Sequence, residues 1–395
     1  VFAAAAVLIG IAACKPESAR EADGSPSVAP PAIRAESPPA DAARESIAEA
    51  LRNPDAFARA RTLATLLPTL GAEQVAAVRQ TFSDTSLDLG PGDIELLVRF
   101  WASHEPREAT QWALGDSPEG YRLAAIVPAF TVWAAADPHA AASAAQEPAA
   151  QEPGVRDAVL IALVRGWFEA DPVELAQYIH DLGVGFPRQR ALATYIRATI
   201  QAHGIDAATR WAESLPDDDA TFKAAAFRQV ASVVPLFDHE AGLRWCDAHC
   251  EGPYGTNLRS ILARRWARRD AAAALEWLSR APANHDNQLA VRATFALWGR
   301  IDRAAAVAWM ADQTAGGMPA WLVPALPVYA RLLAEDSPAE AIEWAEKIEG
   351  AEEREIVLID VARTWRKLDE PAAEAWLLDS PLSEEAREKA RAPRG

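Results

Sequence analysis

Apolar positions along this chain follow one motif that recurs between residues 101 and 376. An aromatic or aliphatic residue is followed four places on by Asp or a similar residue, often with Pro behind it. Four further on comes Ala, and three beyond that another aromatic. Trp133 to Asp137-Pro138 and Trp167 to Asp171-Pro172 show the first half; Trp266, Asp270, Ala274, Trp277 and Trp298, Asp302, Ala306, Trp309 show the whole. The closing position falls on Trp112, Ala144, Tyr178, Trp211, Trp245, Trp277, Trp309, Trp344 and Trp376, at an average spacing of 33 residues. Self-similarity at such a period is the signature of a repeat architecture. Thirteen of the 14 tryptophans occupy one of the two aromatic slots, and only Trp321, in Gly316-Gly-Met-Pro-Ala-Trp321, lies outside the register. The thirteen are expected in the core, because a fixed helical register is what packing demands; Trp321 is expected to be exposed.

Each Asp reads as a helix N-cap whose carboxylate accepts an orphan backbone N–H, and Pro is tolerated in the turn that follows. A new helix therefore starts at each Asp, with Ala and the second aromatic on one of its faces. The first aromatic ends the preceding helix, as in Asn257 to Arg268 before Ala271 to Arg280. Gly and Pro in Leu182 to Pro187 and Glu251 to Pro253 mark the return loops. Nine such hairpins over 92–380 predict an all-α fold, an α-solenoid of about nine 33-residue helix-turn-helix repeats and one elongated domain. Segments near 41–52, 54–67 and 72–83 do not keep the register and predict an N-terminal helical cap over 41–91. Residues 381–395, with a polar helix from Ser383 to Arg391, predict the other cap.

In period and in the Asp270, Ala274, Trp277 layout the array resembles tetratricopeptide or Sel1-like repeats, which build αα-hairpins of about 34 residues. It departs from the tetratricopeptide pattern at Leu262, where a small residue is expected, and in lacking a recurrent terminal Pro. The resemblance implies a groove lined by the first helix of each pair, for binding protein or peptide.

The run Val1 to Ala13 is uncharged and almost wholly apolar, yet too short for the roughly 20 residues of a membrane-spanning helix. It reads as the apolar core of a secretory signal. Leu8 to Cys14 resembles the lipobox of bacterial lipoproteins, which implies that residues 1–14 are signal and that Cys14 is the lipidated anchor. The plainer alternative is an ordinary signal cut at a small-residue site. Lys15 stands where the resemblance would need Asp for inner-membrane retention, implying the outer membrane, periplasmic face. Residues 15–40 are rich in Pro, Ala, Ser and Glu and predict a disordered tether.

With 39 basic against 56 acidic residues and a net charge of -17, nucleic acid is an unfavoured partner. Half the 395 residues are apolar, which supports a large core. No phosphate loop, dinucleotide fingerprint, zinc-protease pair or nucleophile elbow occurs, so nothing nominates a catalytic residue, and no cofactor is expected. His104, His139, His203 and His239 fall near the predicted turns and are read as ordinary polar turn residues rather than metal ligands. Cys246 and Cys250 could form a disulfide, pack as thiols, or join His249 in a metal site. Two places before the first aromatic slot, Arg recurs in five copies, Arg99, Arg165, Arg264, Arg331 and Arg363. They are the candidate partner-binding residues, a basic ladder along the groove; alternatively each pairs with a nearby carboxylate, the commoner fate of a surface charge.

These readings converge on a non-enzymatic, lipid-anchored periplasmic scaffold that engages an envelope protein. A glycan or peptidoglycan-binding module would instead require several surface aromatics, and an enzyme would require converging carboxylates in one cavity.

Overall fold

The computed structural model describes residues 39–84 and 88–392. Cys14, the lipobox and nearly all of the tether lie outside the described residues.

Among the described residues the chain is all-α, without strands. It opens with α1 (Ala40–Leu51), α2 (Ala56–Leu66) and α3 (Val75–Thr81), matching the three expected segments, with short 3-10 turns flanking the last two. Helix pairs follow: α4 (Pro91–His104) and α5 (Pro106–Gly115), α6 (Arg122–Ala136) and α7 (Pro138–Ala144), α8 (Arg156–Ala170) and α9 (Pro172–Asp181). Next come α10 (Phe186–His203) and α11 (Ile205–Ser214), α12 (Ala220–Phe237) and α13 (His239–His249), α14 (Leu258–Trp266) and α15 (Ala271–Ser279). The series ends with α16 (His285–Ile301) and α17 (Arg303–Thr314), α18 (Leu326–Leu333) and α19 (Pro338–Glu346), α20 (Ala351–Leu368) and α21 (Glu370–Asp379), then α22 (Glu384–Arg391).

The corner between paired helices is a single residue in seven of the nine described pairs and four residues in the α14/α15 and α18/α19 pairs. Asp137, Asp171, Asp238, Asp270, Asp302 and Asp369 each serve as C-cap of one helix and N-cap of the next, or stand just beyond the first helix's end. The corner residue's N–H closes the first helix by donating to the carbonyl four places back, which is that of the first aromatic slot: Trp133 for Asp137 (2.7 Å) and Trp365 for Asp369 (2.7 Å). Its carboxylate then opens the second helix by accepting from a backbone N–H, as Asp270 does from Ala273 at 2.9 Å. Asp270→Ala should therefore cost about 1 kcal/mol in urea unfolding, and Asp270→Asn much less. A loss below a few tenths of a kcal/mol for Ala would remove the cap from this account.

Four places after the corner the residue is small and wholly buried in most pairs: Ala109, Ala141, Ala208, Ala274, Ala306, Ala341 and Ala373 are at 0% exposure. A methyl group there lets the two helices approach closely. Beside it, where both slots carry rings, these meet, with centroids 5.6 Å apart for Trp101 and Trp112, 4.8 Å for Trp167 and Tyr178, and 5.4 Å for Trp298 and Trp309. The period in the sequence is thus the period of this corner.

First helices pack on first helices: α4 on α6, α6 on α8, and so on through α10, α12, α14 and α16, and again α18 on α20. Second helices pack chiefly on their own first helix and on the following one. The result is two layers, of which the first-helix layer is the more closely joined. Buried apolar residues run from Ala43 to Ala390 in clusters bridged by Trp277 and Trp298, with no single centre.

Trp321 departs from expectation: it is half-buried, not exposed. The eighth pair begins with a 3-10 segment, Ala320–Ala325, in place of the first half of a regular helix. This segment packs against α16 and brings the Trp321 ring edge-on to Trp309, with centroids 6.3 Å apart. The longer spacing of this repeat is taken up by the loop at Gly316 and Gly317, where Gly317 has a φ of +109°.

Candidate functional site

The exposed side of the first-helix layer carries two adjoining recesses. A first helix in this array turns one stripe of side chains to its own second helix and flanking stripes to neighbouring first helices. What remains is a polar stripe facing away from the second helices. In the N-terminal half these stripes form a recess of about 850 Å³, into which Arg99 of α4, Thr131 of α6, Arg165 of α8 and Arg190 and Arg197 of α10 project. Val127, Ile161 and Phe168 contribute apolar surface, and Glu95 and Glu169 contribute two carboxylates. Farther along, a recess of about 440 Å³ is lined by Arg228 of α12, Arg264 and Arg265 of α14, Arg268 just beyond it and Arg300 of α16. Gln189, Gln229 and Ser232 complete its polar wall, and none of its lining residues is acidic.

Five guanidinium groups around one recess repel one another. Burial, and then the positive charges of Arg268, Arg197 and Arg264, hold the Arg265 guanidinium below its ordinary pKa. Arg197 lines the N-terminal recess, so the two recesses lie close enough for the charge of one to act on the other. Within the array these arginines are held only by neutral groups. Arg265 Nη2 donates to Ser232 Oγ at 2.8 Å and Arg264 Nε to the Ser260 carbonyl at 3.3 Å.

Most of the other arginines among the described residues are ion-paired, though not all: Arg44 bonds only Gln80, and Arg354 only the Ile348 and Glu349 carbonyls. Arg59 meets Asp93 at 3.1 Å, Arg259 meets Glu251 at 2.8 Å, and Arg366 meets Glu374 at 2.8 Å. Arg303, between Glu335 and Asp336, is held above its ordinary pKa, chiefly by its hydrogen bond to Asp336. In an acidic chain, then, the nine arginines of the two recesses stand out by their grouping: they line adjoining recesses, and among the described residues none of the nine has a carboxylate within ion-pair distance.

Of the five arginines singled out by register, Arg99 and Arg165 lie in the first recess and Arg264 in the second. Arg331 and Arg363 join neither. Both face Asp360 of α20, at 2.8 and 3.8 Å, and Arg363 Nε also donates to the Lys389 carbonyl at 3.0 Å. For this pair the plain ion-pair alternative describes the geometry. The register missed Arg190, Arg197, Arg228, Arg265, Arg268 and Arg300. A signal was present for some: Arg268 lies one helical turn beyond Arg264, Arg300 follows Trp298 as Arg268 follows Trp266, and Arg190 and Arg197 are seven apart in one helix.

Compared with known protein families, with characterised proteins and with solved structures, the chain matches none. The recesses themselves must carry any functional reading.

Other candidate chemistry resolves into structure. Cys246 and Cys250 form a disulfide at the end of α13, with Cα atoms 4.8 Å apart and both residues buried. His249 stacks near Trp245, with ring centroids 4.8 Å apart. His104 Nδ1 sits 3.0 Å from the Phe100 carbonyl, and His139 Nε2 3.0 Å from Glu174. Among the described residues no group of three or more His, Cys, Asp or Glu is arranged to hold a metal, and no helix is long and apolar enough to cross a membrane. Apart from Trp321 the tryptophans sit at the corners, and all are buried or half-buried and away from both recesses.

Proposed function

We propose that this chain is a non-enzymatic binding scaffold: an α-solenoid of tetratricopeptide-like hairpins whose first-helix face captures a protein partner in the bacterial envelope. A lipid on Cys14 anchors it to the periplasmic face of the outer membrane, with the Pro- and Ala-rich segment as tether. One observation carries the binding part of this reading. Nine arginines gathered on one face without carboxylate partners are costly to the free protein and gain most from an anionic surface laid against them. Alternation of short corners with first-helix stacking supports the solenoid, and the Cys246–Cys250 bridge fits an oxidising compartment. The aromatic rings, engaged in corner packing, do not favour a glycan-stacking surface.

Photo-cross-linking in intact cells tests the reading. A photoreactive residue at Thr194, within the first recess, should yield one dominant protein adduct, and one at Ala272 on α15 should not. Arg165→Glu with Arg264→Glu should lower the Thr194 adduct by about tenfold or more; Arg107→Glu, on the second helix α5, should leave it unchanged. Adducts that ignore the recess arginines, or that form at Ala272 alone, would overturn the assignment. Cys14→Ser should move the protein from the membrane pellet to the soluble fraction.

A further inference from the structure

We infer that the occupant of the arginine face is an extended acidic polypeptide segment, crossing the first helices with a carboxylate at about every third residue. The inference rests on the scaffold reading and narrows it to one chemistry. Three features of the C-terminal recess lead there.

Its positive charge comes from side chains alone. Arg264 and Arg265 belong to the last turn of α14, Arg268 lies beyond it, and Arg300 sits in the last turn of α16. Helix C-termini present carbonyls, not the N–H groups that cradle a compact phosphate. With Arg228 of α12, the guanidinium groups come from three successive first helices, so the charge is laid across α12, α14 and α16, as suits a chain that crosses the same helices.

Its polar wall also accepts. The Gln189 and Gln229 side chains line the recess, the first exposed and the second half-buried, and neither is engaged by another side chain of the described protein. An amide side chain offers a carbonyl as well as an NH₂ group. A polyphosphate chain has no donor to give that carbonyl, whereas every peptide unit supplies an N–H.

Finally, no aromatic ring lines this recess. Nucleobases and sugar rings are held largely by stacking on aromatic faces, so the surface is ill-suited to either. The charge spacing follows from packing. Neighbouring helix axes lie roughly 8–10 Å apart, and an extended chain advances about 3.3 Å per residue. One helix is crossed for about every three residues, and a segment of about 9 residues spans α10 to α16.

The test is fluorescence anisotropy with the full chain and a labelled peptide of about 16 residues carrying Glu at every third position in an Ala-Ser background. Binding is expected, weakening steeply with salt. The peptide with Gln in place of each Glu should bind about tenfold or more weakly. Arg264→Gln with Arg268→Gln, and separately Arg228→Gln with Arg300→Gln, should each weaken the Glu peptide by a similar factor, at an unchanged melting temperature. Equal affinity for the Glu and Gln peptides overturns the inference, as does indifference to both arginine pairs. Binding of inorganic polyphosphate or heparin without the Glu peptide would do so too, and would assign the face to a phosphate or sulfate polymer. If the peptide fails while arginine-dependent adducts persist at Thr194, the partner is a folded surface and only the extended-segment inference falls. Loss of both results removes the scaffold reading as well.

Discussion

Gly166→Ala lowers the unfolding free energy by about 3 kcal/mol or more, the upper end of what overpacking costs, although alanine is the better helix former by about 1 kcal/mol. The reason lies where α8 crosses α6. A Cβ on Gly166 would stand 2.1 Å from the Thr131 carbonyl oxygen, 2.8 Å from the Ala134 Cβ and 2.9 Å from the Ala135 nitrogen. Two of these three atoms are backbone, so no rotamer change relieves the contact and the helices must separate. Gly299→Ala makes the useful contrast, since its added carbon would meet only the end of the Leu332 side chain, 2.4 Å away, which can swing aside. Gly92→Ala, in the first turn of α4 with nothing within 4 Å, should be neutral or gain several tenths of a kcal/mol. Urea unfolding of the three variants gives the order: Gly166→Ala least stable, Gly299→Ala intermediate, Gly92→Ala at or above the parent. A Gly166→Ala protein within 1 kcal/mol of the parent would mean that α6 and α8 are not held this close. The effect reaches the binding face, because Thr131 and Arg165 line the same recess from these two helices, and pushing the helices apart widens it.

Residues 165 to 167 show what a sequence discloses and what it does not. Trp167 was legible because its spacing repeats, and a repeated aromatic at helical register reports packing whatever its neighbours are. Arg165 was half-legible: its register placed it on the first helix, but whether it met a carboxylate depended on residues of adjacent helices. The same register gave Arg331 and Arg363, which do meet one, in Asp360. Gly166 gave no signal at all. Its role is to be absent where two backbones meet, and that is a property of the helix crossing, not of any local pattern. The same logic applies to the recess. Arg190 and Arg228 come from helices whose register position carries Ala198 and Ser232, so only the stacking of α10, α12 and α14 reveals that they share a surface. Cys246 and Cys250 stood among three alternatives because spacing alone does not say whether a helix is ending. Cys250 is the C-cap of α13, and there the two sulfurs are bridged.

Trp167→Ala is expected to cost about 3–5 kcal/mol, the range for emptying a buried tryptophan site. The residue is 2% exposed. Its ring contacts Tyr178 at 4.8 Å and His139 edge-on at 5.4 Å, and its Nε1 donates to Glu174 Oε2 at 3.3 Å. Glu174 also receives His139 Nε2 at 3.0 Å, so the ring lies within a small polar cluster that ties α7 to α8 and α9. Burial by the same packing raises the Tyr178 hydroxyl above its ordinary pKa. Trp167→Phe keeps the aromatic contact and loses the indole donor, so it should cost clearly less than Ala. Unfolding followed by circular dichroism measures both. The pair also decides what the recurrent aromatics are for. If the rings hold the corners, Ala destabilises strongly, and peptide binding at the arginine face, measured well below the melting temperature, is retained. Were Trp167→Ala as stable as the parent, the rings would be free for another purpose and a carbohydrate-stacking role would regain its footing. The geometry favours the first outcome, because Tyr178 in the second slot faces Trp167 in the first across the one-residue corner at Asp171. A ring removed from either slot leaves its partner, the buried small residue beside it and the next first helix facing a void.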